Sequence, residues 1–259
     1  MNRSQIFDIA HLRHPIAAPV APERLRDLVG WLSPPTGGRA VDLGCGEGEW
    51  LQELLLTQPR LTGVGVDHML PDSAAERTAQ RGLGDRVRWI ETDAATWSDG
   101  LFDVVLCVGA SHAFGRLEDM LVAVRRHLRP GGQALVGDTI WEGTPSAAAL
   151  VALEASPEDF PDLAGLVRTT REHGFEPSYG HTSTLAEWDE YEFSWTGSLV
   201  HWALREALTT EDRDQALAAA REHRDAWLGG WRGQQGFATL VLHDIATTPT
   251  VDDLPERHT

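Results

Sequence analysis

The chain has 259 residues, enough for one large α/β domain or for a core carrying a substantial lid. Its hydrophobic fraction of 42% is that of a globular protein, and no apolar run approaches the roughly 18 residues that a membrane span needs. A formal net charge of −17 argues against nucleic acid as a partner, and because all 22 basic residues are arginine, lysine Schiff-base and pyridoxal chemistry are excluded.

The opening MNRSQIFDIAHLRHP has no apolar core followed by a small-residue cleavage site, so a cytoplasmic location is expected. Cys45 and Cys107 each sit at a strand end rather than in a CxxC pair, which suggests neither a disulfide framework nor a metal cluster. PERLRDLVGWL (22–32) reads as a helix that starts on Pro22 and stops at Ser33-Pro34-Pro35. Short β-branched runs then alternate with amphipathic stretches, the pattern of βαβ units in a parallel sheet. Strands are expected at 39–44, 61–67, 86–92, 102–108 and 132–140, with helices at 48–57, 72–82 and 116–129; Pro130-Gly131-Gly132 closes the last. Beyond residue 140 the rhythm changes: helices at 146–155 and 162–174, a sixth strand at 176–182, a helical insertion over 185–230, a late strand at 236–245, and a frayed polar tail, TTPTVDDLPERHT.

VDLGCGEGEW (41–50) places Gly44, Gly46 and Gly48 between a strand and a helix, where backbone can approach a ligand at the carboxyl edge of a sheet. Asp67 ends the second strand about twenty residues on, suited to ribose hydroxyls, and Asp93 follows the third, within reach of an adenine amino group. Asp42, Glu47 and Glu49 around the loop would repel a pyrophosphate, so a cofactor with a cationic end is preferred over a dinucleotide.

VDLGCGEGEW, Asp67, the Asp93-Ala94 pair and RRHLRPGGQALVGD together resemble a class I S-adenosylmethionine-dependent methyltransferase, and GFATLVLHDI resembles the antiparallel seventh strand of that family. The resemblance implies an α/β, Rossmann-like seven-stranded, mostly parallel sheet in the order 3-2-1-4-5-7-6, with helices on both faces. It implies S-adenosylmethionine as cofactor and S-adenosylhomocysteine as product. Gly44, Cys45, Gly46 and Gly48 would line its methionine part, Asp42 would reach the ammonium or a bridging water, Asp67 would hold the ribose, and His68 would lie against the adenine. Asp93 and Ala94 would read the adenine edge, while Val108 and Gly109 would pass beneath the sulfonium. HLRHPIAAPVAPERL resembles the opening of bacterial small-molecule methyltransferases of this class, which folds over the cofactor; His11, Arg13 and His14 are its candidates.

One domain is expected, with a cap over 1–35, a core over 36–184 and 235–246, and a helical lid over 185–234. Because all parallel strands exit on one edge, the loop after the fifth strand and the 185–230 insertion should roof the active site. Trp188, Tyr191, Trp195, Leu199 and Trp202 recur on one helical face, read first as a packing stripe with some rings free for substrate. Trp141, Glu142, Tyr179, Trp195 and His201 are the substrate candidates. His112, in CVGASHAFG just after the fourth strand, is the candidate catalytic residue, ahead of Glu142, Tyr179, His181 and His201; the alternative is a turn in which Ser111 caps a helix. The expected activity is SN2 methyl transfer to an oxygen or nitrogen of a small molecule by a monomer or homodimer. A catalytically silent cofactor-binding regulator and a nicotinamide oxidoreductase are the competing readings, and nucleic-acid methylation is disfavoured by the charge.

Overall fold

The computed structural model describes residues 1–245 of the chain, so the polar tail expected to fray lies outside the described residues. Seven strands form one sheet in the order β3-β2-β1-β4-β5-β7-β6: β1 (Arg39–Leu43), β2 (Thr62–Asp67), β3 (Val87–Glu91), β4 (Phe102–Val108), β5 (Leu128–Trp141), β6 (Phe175–Thr182) and β7 (Gln235–Asp244). All neighbours are parallel except β7, which runs antiparallel to both β5 and β6. This is the arrangement that the family resemblance implied.

The central strands are buried along nearly their whole length because both faces are covered, whereas the edge strands β3 and β6 are only partly so. Alternation of side chains sorts each strand between two cores. Val41, Val105, Cys107 and Val136 face α5 (Leu117–His127) and α7 (Leu163–Glu172) through Met120, Leu121, Val124 and Leu166. Ala40, Val104, Leu106 and Leu135 face α2 (Pro22–Gly30) and α3 (Glu49–Thr57) through Leu25, Leu28, Leu51 and Leu54.

The fourth-strand crossover ends earlier than its sequence suggests. α5 stops at His127 because Leu128 already pairs with Phe102 as the start of β5. Arg125 then ties that corner together, bonding Asp244 and the carbonyls of His173 and Gly174 while its guanidinium lies over the Phe175 ring. The remaining helices are α1 (Arg3–His11), α4 (Asp72–Gln80), α6 (Ala147–Ala152), α8 (Leu185–Arg205) and α9 (Thr210–Ala226). α6 is shorter than the expected 146–155, and α1 was not expected at all.

The 185–230 insertion is helical as read. Thr184 and Glu187 form a reciprocal capping box at the start of α8, and α9 runs on into a π-helical turn, Trp227–Trp231. Ala10 of α1 joins Leu199, Ala203, Ala216 and Ala220 in a small core, so the amino-terminal helix packs on α8 and α9. Among the described residues, no helix is long and apolar enough to cross a membrane.

Candidate functional site

The glycine loop connects β1 to α3 at the carboxyl edge of the sheet, where open α/β folds bind ligands. Gly44, Gly46 and Gly48 all take positive φ (73°, 48° and 72°), a region costly for other residues. At Gly48 the restriction is also steric, since a Cβ there would run into the indole of Trp89, a residue of β3. Space beside Gly46 is open, with nothing within 4 Å of where its Cβ would be.

Asp67 shapes this loop. Its Oδ2 accepts the Gly46 amide at 2.8 Å and its Oδ1 the Met69 amide at 3.0 Å, leaving each oxygen one further lone pair. His68 is exposed beside it, with Nδ1 3.3 Å from the carboxylate. Below the loop, Asp42 is buried and its Oδ2 has no partner. Burial, reinforced by the charge of Asp67 and partly offset by the Leu51 amide, pushes its carboxyl up to about 7. Burial likewise pushes the Cys45 thiol up, so this cysteine serves as a small packing group.

The other loop acids do not face a ligand. Glu47 bonds Ser73 at 2.6 Å and pairs with Arg77, and Glu49 pairs with Arg81 at 2.7 Å, so α4 neutralises both. Only Asp42 and Asp67 carry the loop's acidic character inward. Asp93 lies exposed after β3, its Oδ1 accepting the Ala95 amide and its Oδ2 free of that bond, with Ala94 buried next to it.

The crevice between β1 and β4 is the point where successive connections leave in opposite directions, and the amino-terminal segment crosses it. Gly109 has φ of 70°, and a Cβ on it would come 3.9 Å from the Ala17 carbonyl. The segment is latched on both sides: the Trp50 indole donates to the Ile16 carbonyl at 3.1 Å, and the Ala21 amide donates to Glu187 of α8 at 3.0 Å. Ala17 itself holds a left-handed φ of 53°. His14 lies edge-on to Tyr191 with its Nδ1 buried and unpartnered, and burial lowers its pKa.

His112 is exposed in a short 3-10 turn immediately after the Val108–Ala110 crevice loop. Ser111 does not cap a helix. Its hydroxyl donates to Asp138 of β5 at 2.9 Å, while α5 starts from Arg116 without a side-chain cap. Burial raises the Asp138 pKa, and His112 is close enough to oppose that shift electrostatically.

The substrate candidates are not gathered in one place. Tyr179 stacks on Trp31 (ring centroids 4.6 Å apart) and lines a groove with Arg26, Asp27, Gly30 and Ser33. It lies in the outermost strand, four strands from β1 and hence roughly 19 Å away. His201 is on the exposed face of α8, 3.7 Å from Glu206, and so points away from the sheet. Trp141 is buried with its indole donating to Pro157, which spends it on holding the 156–161 loop. Glu142 is exposed at the end of β5, where its side chain lies over Gly236. Trp195 is half-buried and stacks on His223 at 4.0 Å. His181, the other strand-six candidate, pairs with Glu187 at 3.0 Å in the capping box.

Asp138 and two side-chain pairings were not read from the sequence. Asp138 could have been suspected from GDT at the end of the fifth strand, one strand over from His112. The buried Glu192–His223 pair (2.6 Å) joins α8 to α9, and no spacing rule links residues 31 apart. The Tyr191 hydroxyl meets His11 of α1, a helix that the sequence did not announce.

A family model described as a methyltransferase domain matches residues 40–132. The uncharacterized protein YjhP of Escherichia coli K12 is 30% identical over 210 residues, covering 78% of this chain and 83% of that protein. A crystal structure of an S-adenosylmethionine-dependent methyltransferase from Geobacter sulfurreducens, in complex with S-adenosylhomocysteine, superposes with a TM-score of 0.82. It is 28% identical and covers 92% of this chain and 97% of that one. The 27-O-demethylrifamycin SV methyltransferase of Amycolatopsis mediterranei is 32% identical over 136 residues, covering 51% of this chain and 49% of that enzyme.

Proposed function

The chain belongs to the S-adenosylmethionine-dependent methyltransferases of class I fold, and from that premise we propose that it methylates an oxygen or nitrogen of a small-molecule metabolite or natural product in the cytoplasm. The observation that carries the cofactor assignment is the buried, unpartnered Asp42 oxygen beneath an open glycine loop. An ammonium gives that oxygen the partner it lacks, whereas a pyrophosphate would meet two carboxylates. Bound there, the cofactor supplies an electrophilic methyl group.

The residues divide the remaining work. Asp67 keeps one lone pair per oxygen for two ribose hydroxyls after fixing Gly46 and Met69. His68 would lie against the adenine, Asp93 and Ala94 would meet its edge, and Val108 and Gly109 would pass beneath the sulfonium. Gly44, Cys45 and Gly48 shape the loop around the methionine part. Residues 1–35 act as a cap that carries His14 toward the cofactor, and 185–234 as a lid, both excluding water. His112 stands on the rim beside Asp138 and orients the acceptor toward the methyl group.

Of the substrate candidates, Trp195 and His201 lie in the lid, and Trp195, half-buried against His223, is the ring assigned to the acceptor. Calorimetry with S-adenosylmethionine, followed by S-adenosylhomocysteine formation in the presence of a metabolite fraction, tests the reading. Binding without any product across fractions would leave a silent regulator; no binding would sink the cofactor assignment.

A further inference from the structure

An O–H or N–H acceptor must shed a proton when it is methylated, and besides the exposed His112 the molecule holds a buried histidine, His11, bonded to a phenol. Nδ1 of His11 lies 2.9 Å from the Phe7 carbonyl, which can only accept, so Nδ1 carries the ring proton. Burial lowers the His11 pKa against the opposing pull of the Phe7 bond and the Glu47 charge, so the ring is neutral and its Nε2 bare. The Tyr191 hydroxyl, 3.1 Å from Nε2, therefore donates to it and keeps its own lone pairs free.

This pair sits where cap, lid and core converge. Tyr191 packs on the same cluster as Val108, with Ile16, Trp50 and Trp188, and His14 closes its other side. The charged groups around it are few: Glu47, His14 and His223 act on His11, Glu190 on His14, and Glu192 on Tyr191. Resting on the methyltransferase reading, we propose that Tyr191 and His11 form a proton relay for the acceptor, and that the acceptor is accordingly an alcohol, phenol or amine rather than a carboxylate.

The acceptor's oxygen or nitrogen bonds to the methyl carbon as the methyl–sulfur bond breaks, its electron pair going to sulfur. The acceptor's proton passes to the Tyr191 oxygen while the phenolic proton passes to Nε2 of His11. His11 becomes an imidazolium held by the Phe7 carbonyl and Tyr191 with Glu47 nearby, and returns the proton to water after product leaves. Tyr191 is the catalytic residue in this scheme. His11 acts through it.

The test uses Tyr191→Phe, which removes only the hydroxyl, and His11→Gln, each checked for folding by circular dichroism and for S-adenosylmethionine affinity by calorimetry. S-adenosylhomocysteine formation is followed with catechol, phenol, benzylamine and benzoate from pH 6 to 9 in H2O and D2O. The relay requires turnover of protonated acceptors, a fall in kcat of about 100-fold in each variant with KM within threefold, and a solvent deuterium effect that shrinks in both. In the unaltered protein, nitrogen NMR must report Nδ1 of His11 protonated and Nε2 bare. Variants within threefold of the unaltered enzyme, methylation of benzoate alone, or no methylation of any acceptor overturns the relay. Absence of S-adenosylmethionine binding by the unaltered protein would instead strike the methyltransferase reading on which it rests.

Discussion

Replacing Asp42 by asparagine should stabilise the ligand-free protein and weaken its cofactor binding at the same time. The carboxyl stands at about 7 in the fold against an ordinary 3.8, which corresponds to an upper limit of about 4 kcal/mol. Because the folded value is the higher one, the neutral acid's contribution is complete below about pH 4 and is lost as pH rises through 7. At pH 8 the unaltered protein therefore carries a buried, half-satisfied carboxylate. The asparagine amide must itself find an acceptor, so a net gain of about 1–2 kcal/mol at pH 8 is expected, a rise in Tm of about 2–6 °C, shrinking toward zero near pH 5. The same substitution removes a charged partner for an ammonium, costing S-adenosylhomocysteine about 10- to 100-fold in Kd. In the unaltered protein that Kd should also weaken below pH 7, by up to about tenfold per pH unit, since the acid must then release its proton to pair. Scanning calorimetry and titration calorimetry at pH 5, 6.5 and 8 read both effects. A variant that melts no higher at pH 8 and binds S-adenosylhomocysteine unchanged would show that Asp42 does not face the ligand.

Asp67→Ala should weaken S-adenosylmethionine binding by about 1.5–3 kcal/mol in titration calorimetry, through lost ribose contacts and the freed Gly46 amide; an effect under threefold would contradict that role. His112→Ala should lower turnover while leaving cofactor Kd within about twofold, and activity retained within a few-fold would remove it from the acceptor site. Gly65→Ala should cost about 1–3 kcal/mol in urea unfolding, because its Cβ would enter the Trp89 indole. Arg125→Ala should cost about 2–4 kcal/mol by the same measurement, since it leaves the buried Asp244 without its guanidinium and the Phe175 ring uncovered.

The fold was legible because its signals are local. A β-branched run bounded by glycine is a strand whatever packs on it, and Pro22 and Gly174 punctuate helices through their own backbone needs. The glycine loop and its aspartate were legible for the same reason: Gly44, Gly46 and Asp67 act through backbone geometry and strand ends. The contacts of the side chains proposed for the acceptor were not. Tyr179 and Tyr191 cannot be told apart by spacing, yet the first stacks on Trp31 and the second gives its hydroxyl to His11. Glu47 and Glu49 read as ligand-facing acids until α4 brings Arg77 and Arg81 beside them. His11 gains its role from a phenol 180 positions away, which no periodicity encodes.

The strap formed by residues 12–21 has a kinetic consequence. Its latches, one neutral hydrogen bond from Trp50 and one charge-assisted bond to Glu187, are worth about 1 and 1.5–3 kcal/mol, and Ile16, Ala18 and Val20 are buried with them. With residues 12–21 acting as the proposed cap over the Gly109 loop, ligand exchange is expected to follow the opening rate of the strap, and the Trp50 indole, freed whenever Ile16 lifts, gives the stopped-flow fluorescence signal that checks it.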